Sequence, residues 1–466
     1  MGGVFSNMCG VNLILKPYGA DRQVEKMDVT LSFDGLSRKA GEELCSMQLV
    51  TVSIPGCDPE NFRVADEAGT VAVSTSLSSP YPYELKHWAV ERDTVGTVTV
   101  QYTVRPRAMT GKETCGPYFD FRNEDGGANS SGLAFLPRVE GADGTVALHW
   151  DLSRMPDGSR GVCTYGVGDV KRDGGLELFQ QGYYAMGDIQ EISEGEFGFY
   201  WLAKPTFDMQ EIADYTRQLF AKMQEFFRDT NPVYRIFVRK DPFTSSGGTA
   251  LLRSYMFGWN ETQSCKVKER QYILAHEMVH NWPQLNDNPY GTTTWYSEGM
   301  AEYYSMMLPL RHGLITPREV QEELQKRTDQ YYTNPTRYLS DMESIRICWK
   351  DRRAQKIPYG RGMIFIANVD AAIRRATHGK FSIDDVMLMI LEKDRAGVTL
   401  GNQVFLDVVK EISGLDVKKD LEDMRDGVHI VPAKGSFGGY FDIVEKEMPE
   451  ADTGKTVVAY QWVVKE

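Results

Sequence analysis

No apolar run in this 466-residue chain reaches the roughly 20 residues that a helix needs to cross a bilayer. Its first residues lack the basic-then-apolar profile of a secretory leader. Cysteine is sparse: the seven thiols include no Cys-x-x-Cys pair, and an odd number without a leader predicts reduced thiols in a cytoplasmic protein rather than a disulfide framework. Positive charge is in deficit, with 52 Lys and Arg against 65 Asp and Glu and a net charge of −13. That balance argues against nucleic acid or an anionic membrane as the main partner. The one notable basic cluster, Lys350 to Lys356, reads as a solvated helix end or loop. Internal repeats and low-complexity linkers are lacking too. Asn129-Ser-Ser131 and Asn260-Glu-Thr262 read as unused glycosylation sequons, and Met1-Gly-Gly-Val-Phe-Ser6 fits the loose N-myristoylation pattern at Gly2.

What is present is an ordinary globular composition, 42% hydrophobic, sufficient for two or three domains with substantial cores. From Val11 to about Val167 the chain alternates apolar and polar residues in segments such as Lys26–Phe33 and Gly96–Val104, divided by Gly, Pro and Asp clusters. Such strands pack most simply as a β-sandwich. Gly174 to Ala203 adds further strands. Asp208 to Arg228 has helical periodicity in Ile212, Tyr215, Leu219, Met223 and Phe226, and Asn231-Pro232 closes it before a strand over Val233–Lys240 and a glycine turn over Ser245–Thr249. Later segments are amphipathic helices: Pro317 to Tyr331, Tyr359 to Ala376, Ser382 to Lys393 and Asn402 to Ser413. Two carry start signals, in Thr316-Pro-Arg-Glu319 and in Ser382 before Asp384 and Asp385. The tail from about His429 returns to strands but is too short to fold alone.

The most specific arrangement lies in Gln271–His280, which reads His276-Glu277-x-x-His280. Residues four apart on a helix share one face, so the two imidazoles converge, with Glu277 beside them to address a water. That is the chemistry of a zinc hydrolase. A catalytic zinc needs a third protein ligand and an open position. Downstream, Trp295-Tyr-Ser-Glu298-Gly-Met-Ala-Glu302 opens a second helix after a polar loop. Glu298 is the natural ligand, but Glu302 sits one turn on, and spacing alone does not choose between them. His87 and His149 have no ligand spacing.

These segments resemble the gluzincin metallopeptidases, in particular the aminopeptidase N and glycyl aminopeptidase families. Those families pair His-Glu-x-x-His with Trp-x-x-Glu-Gly, whose Glu binds zinc, and Trp295-Tyr-Ser-Glu298-Gly299 is similar to it with one residue fewer in the loop than the usual aminopeptidase N spacing. The resemblance therefore favours Glu298. Pro358-Tyr359-Gly-Arg-Gly362 is similar to the helix start that supplies a transition-state-stabilising tyrosine, which implies that role for Tyr359. The families also bind substrate backbone along a Gly-rich segment, and Gly247-Gly248 matches its place. The acid that grips a free amino terminus is missing from Thr249–Leu252, leaving Glu302, Glu261 or Glu269 as substitutes.

The resulting expectation is a multidomain α+β protein: an N-terminal β-sandwich domain over 1–168, a thermolysin-like, mainly helical zinc catalytic domain over 169–430, and a C-terminal β tail over 431–466 packed on the body. One zinc ion is held by His276, His280 and Glu298, Glu277 is the base, Tyr359 steadies the oxyanion, and Gly247 and Gly248 contact substrate. The expected activity is peptide hydrolysis by zinc-activated water. A zinc enzyme acting on a non-peptide metabolite and a non-catalytic zinc-containing binding protein are the other two readings. Substrate is a peptide or small molecule; oligomeric state is not legible.

Overall fold

The computed structural model describes residues 9–110, 116–243, 247–262 and 266–465. The myristoylation pattern at Gly2 and the first residues of the glycine turn, Ser245 and Ser246, lie outside them. The chain forms two compact units, Met1–Asp214 with Asn231–Glu269, and Tyr215–Thr230 with Arg270–Glu466.

The first unit is built on sheets. Gln23–Asp34 buries Met27, Val29, Leu31 and Phe33 on one face, as its alternation requires, and pairs antiparallel with Gly10–Ala20 on one side and Val98–Val104 on the other. These form the centre of a seven-stranded sheet. A four-stranded sheet centred on Glu43–Thr51 and Tyr83–Val90 contributes Cys45, Met47 and Trp88 to the same apolar core. Two sheets around one core make the expected sandwich. Each large apolar side chain so buried stabilises the fold by about 1.5–3 kcal/mol. A short helix, α1 (Gly175–Gln180), packs its Leu176 and Phe179 into that core.

Two five-stranded sheets complete this unit. In one, the strands Phe197–Trp201, Tyr234–Lys240 and Ser254–Trp259 run parallel, and the edge strand Gly248–Leu251 turns back antiparallel. The central strands are buried along nearly their whole length. A parallel strand covered on both faces has no polar side to alternate with.

Helices make up the second unit. The chain enters it within α2 (Met209–Phe226) and again within α3 (Val267–Val279). There follow α4 (Thr294–Arg311), α5 (Pro317–Tyr332), α6 (Asp341–Ile347), α7 (Arg352–Gln355), α8 (Ile357–Ala376), α9 (Ile383–Arg395), α10 (Asn402–Ser413) and α11 (Lys418–Arg425). Thr316 and Ser382 close capping boxes with Glu319 and Asp385, so both predicted starts are formed. Trp295 of α4 lies edge-on to Phe365 of α8 and Phe405 of α10, at 5.3 and 5.2 Å between ring centres. The tail forms a hairpin of Phe441–Pro449 and Thr456–Val464. It docks on α5 through backbone: Gln321 donates to the Trp462 carbonyl at 2.8 Å, Gln325 donates to that of Tyr460 at 2.9 Å, and Gln325 accepts from Trp462 N at 2.9 Å. Among the described residues no helix is long and apolar enough to cross a membrane.

The sheets of the first unit also enclose charge. Arg239, fully buried, donates to the Asp120 carboxylate and carbonyl and to Asn129, while Arg122 pairs with Asp241 at 3.0 Å. Asn129 and Asn260, the sequon asparagines, are themselves buried. Glu124 accepts from Lys240 N and from Asn129, both at 2.6 Å. Burial nevertheless pushes its pKa from 4.5 up to about 7, against the hydrogen bond from Lys240 and the charges of Arg239 and Arg122. Folded Glu124 thus holds its proton more tightly than unfolded Glu124. Its contribution to stability is full below about pH 4.5 and is lost as pH rises through 7. In urea titrations at pH 5 and pH 8, Glu124→Gln therefore gains on wild type at the higher pH; a stability difference independent of pH contradicts this account.

Candidate active site

The geometry starts from α3, a helix whose last turn carries His276 and Glu277, with His280 immediately beyond its end. Both His276 and Glu277 are buried. The Nε2 atoms of His276 and His280 stand 3.2 Å apart. From α4, Glu298 brings Oε2 to 3.2 Å from His276 Nε2 and 3.8 Å from His280 Nε2. Ligands at about 2.0–2.1 Å from a tetrahedral zinc stand about 3.3 Å from one another, so these three atoms have the spacing of one face of such a site. Glu298 Oε2 is buried with no donor aligned on it, which is the state of an atom placed for a cation. Two imidazoles and one carboxylate are also a donor set that suits zinc. The residues fit the metal.

Glu302, the rival ligand, takes a different place. One turn beyond Glu298 on α4, it puts Oε1 3.0 Å from the other nitrogen of His276, Nδ1. Arg327 of α5 holds it there, reaching Glu302 Oε2 at 2.7 Å and the Glu302 carbonyl and Ser305 Oγ at 3.1 Å each, while its Nε bonds Glu323 at 2.9 Å. A carboxylate on the far nitrogen fixes the tautomer and the plane of the ring, so that Nε2 faces the ligand point. Burial alone raises the Glu302 pKa, but Arg327 and His276 outweigh it and bring the carboxyl down to about 2. Burial likewise opposes charge on His276, yet the carboxylates of Glu298 and Glu302 beside it carry it up to about 10, whereas burial takes His280 down to about 4.

Tyr359 enters from the first turn of α8, which begins at Ile357, two residues earlier than the sequence suggests. Its ring stacks parallel to His276, 5.7 Å between centres and 4° between planes, and the Glu298 carboxylate lies near its hydroxyl. Burial, followed by the charges of Glu298, Glu277 and Glu302, raises its pKa well above 10. The phenol keeps its proton.

Two glycines bring these helices together. A Cβ on Gly299 would come within 2.5 Å of the Gly362 carbonyl carbon, and one on Gly362 within 2.1 Å of the Trp295 carbonyl oxygen. So α4 and α8 cross backbone to backbone, with Glu298 preceding one glycine and Tyr359 three residues before the other. Sequence reasoning named both glycines inside motifs without seeing this contact, and it missed Arg327 altogether. The glycine in each motif was the available signal; Arg327 had none.

Gly247 and Gly248 lie in the first unit, at the start of the edge strand Gly248–Leu251. Gly248 packs beneath the Tyr255 ring, where a Cβ would meet ring carbon at 2.2 Å, whereas a Cβ on Gly247 would meet nothing. The Thr249 carbonyl accepts from the Tyr183 hydroxyl at 3.0 Å. Of the acids considered as substitutes for the missing anchor, Glu302 is engaged as described and Glu261 pairs with Lys240.

Comparison with known proteins agrees with this geometry. Residues 270–357 match the family model of the M61 glycyl aminopeptidases. The whole fold is similar to an aminopeptidase N family protein of Idiomarina loihiensis, at a TM-score of 0.72 and 15% identity over 96% of this chain and 81% of that one. It is also similar to an M1 zinc metallopeptidase of Deinococcus radiodurans, at a TM-score of 0.57 and 15% identity over 91% of this chain and 94% of that one. Among curated proteins none matches. Fold and site together define a metallopeptidase of gluzincin type. Within that class, residues 270–357 are similar to the M61 glycyl aminopeptidases, on a fold similar to that of the M1 enzyme.

Replacing Gly362 by Ala must push α8 away from the Trp295 carbonyl. Overpacking of this kind costs typically about 1–3 kcal/mol, and more where the obstacle is backbone. G362A is expected to lower the unfolding midpoint and to weaken zinc binding together, as read by denaturation and competitive chelation. Unchanged zinc affinity refutes the idea that this crossing sets the ligand geometry.

Proposed function

We propose that this protein hydrolyses peptide bonds using one catalytic Zn2+ held by His276, His280 and Glu298. The observation that carries the reading is the convergence of those three ligand atoms with Glu277 and Tyr359 alongside. A bound zinc supplies Lewis acidity there, lowering the pKa of a water and polarising a carbonyl. Glu277, buried next to His276, takes the proton of the attacking water and delivers it to the departing amine. Tyr359 donates its hydroxyl proton in a hydrogen bond to the carbonyl oxygen as negative charge develops, a contact worth most in the transition state. Glu302, ionised by Arg327, holds the His276 ring throughout.

The catalytic domain in this reading spans 169–430, between a sandwich domain over 1–168 and a tail over 431–466. Gly247 and Gly248 present backbone to an extended substrate, a role supported by the edge position of Gly248–Leu251. The M1 enzyme of Deinococcus radiodurans has been seen as a mutant with a Tyr-Ser-Ala substrate, which supports a peptide as the ligand of this related fold. Cys9, Cys45, Cys57, Cys163 and Cys348 are buried free thiols, in keeping with a cytoplasmic protein.

Glu277→Gln is expected to keep zinc by elemental analysis and to lose turnover, while Glu298→Ala loses zinc. Wild-type turnover in Glu277→Gln refutes the mechanism. Tyr359→Phe should lower kcat about a hundredfold with little change in KM, whereas a tyrosine that only packs would tolerate Phe.

No acid occurs in Thr249–Leu252, Glu302 and Glu261 are engaged, and Glu269 is exposed on the first turn of α3, so none of these supplies a buried counter-charge for an ammonium at the substrate's amino end. Matched free and N-acetylated peptides are therefore cleaved comparably, or the acetylated one better. Cleavage of the free peptide alone shows that an amino-terminal anchor exists.

A further inference from the structure

The basic cluster at 350–356 has a second reading once its members are placed. Arg353 is neutralised by Asp351 and Asp452 at 2.7 and 2.5 Å, and Arg352 lies over the Trp349 ring at 5.3 Å. Lys356 differs. It is exposed at the junction between α7 and α8, and its Nζ sits 4.3 Å above the centre of the Tyr359 ring, the ring that stacks on His276. No carboxylate lies within ion-pair distance of it among the described residues. Two buried arginines of the same helical unit are committed, Arg327 to Glu302 and Glu323, and Arg361 to Asp341.

The placement has physical content. An aromatic face beneath an ammonium restrains a side chain that otherwise loses much rotamer freedom on binding, so part of the entropic cost of using Lys356 is already met. The charge also reaches the ligand cluster, where it is among the influences lowering the pKa of Glu298 and Glu302. The ammonium stands over the same ring whose hydroxyl is assigned to the substrate's carbonyl oxygen. Lys356, which has no ion-pair partner among the described residues, thus holds its charge beside the ring that stacks on a metal-ligand candidate.

We propose that Lys356 binds a carboxylate of the substrate, so that the site selects molecules with negative charge close to the bond that is cut. This rests on the hydrolase reading above for its substrate class, but its recognition chemistry is testable without turnover. It complements the missing amino-terminal anchor: the enzyme reads a negative group where related aminopeptidases read a positive one.

The probe is a pair of small hydroxamates, succinic monohydroxamate and its terminal carboxamide, binding to zinc-loaded wild type and K356M by calorimetry. Wild type is expected to bind the carboxylate about fivefold more tightly, the scale of a solvent-exposed ion pair, with the difference shrinking as salt rises. K356M should remove the difference, and K356E should reverse it. Equal affinity for the two probes in wild type, or a difference that survives in K356M, overturns the proposal. So does a K356M defect in kcat that is equal for charged and uncharged peptides, because that would assign Lys356 to tuning Tyr359. Loss of all peptide turnover alongside a retained, Lys356-dependent preference in hydroxamate binding would instead remove only the peptidase reading. Two peptide pairs then locate the charge: a C-terminal acid against its amide, and an internal Glu against Gln. Discrimination in the first places the carboxylate at the chain end, and in the second on a side chain; discrimination in neither overturns the proposal for peptides.

Discussion

The helical half of this molecule depends on a close approach between two backbones. Where α4 meets α8, Gly299 and Gly362 leave no side-chain volume between them, and neither position has room for a methyl group. Packing at ordinary helix separation would carry Tyr359 away from His276 and Glu298 by ångströms, and the ring stack on His276 would not survive such a shift. The aromatic cluster of Trp295, Phe365 and Phe405 fastens the same crossing from its other side. Ligand, phenol and core packing are therefore parts of one contact.

Around that contact the site is layered by charge. Three carboxylates, those of Glu277, Glu298 and Glu302, surround two imidazoles, and Glu302 is balanced directly by a permanent cation, Arg327. The division of labour between Glu298 and Glu302 follows from this pairing. The carboxylate gripped by arginine is spent on orienting a ring, and the one without a permanent cation remains free to bind metal. Their positions on α4 differ by one turn, and that turn separates the two nitrogens of a single imidazole.

Much of this was legible before any coordinates. His276, Glu277, His280 and Glu298 lie in short motifs whose spacing already fixes which side chains share a face, and the capping boxes at Thr316 and Ser382 are local hydrogen-bond patterns. The sandwich strands could be read because one face is wet: Gln23–Asp34 alternates as plainly in burial as in sequence. Ser254–Trp259 could not, since it is buried on both faces and shows no period of two. Glu298 and Glu302 were inseparable by spacing because helical geometry sends both toward α3; a resemblance decided between them, and the distances agree with it. Arg327 and Lys356 stayed hidden for other reasons. Arg327 acts on Glu302, which the chain brings near only by folding, and nothing in the neighbouring sequence marks it; Lys356 lies in a basic cluster only three residues from Tyr359, but charge clustering alone does not tell a seat on an aromatic face from a solvated helix end.

The docking of the last strand on α5 has a consequence for the order in which the molecule is made. Gln321 and Gln325 bind the backbone of Tyr460 and Trp462 on the same helix that presents Arg327 to Glu302. A chain emerging from the ribosome exposes both histidines, both glutamates and the tyrosine about a hundred residues before the strand that braces α5. The chemistry of the site is thus written early and its support late, so metal captured by the nascent chain meets ligands whose orienting arginine sits on a helix still missing one neighbour.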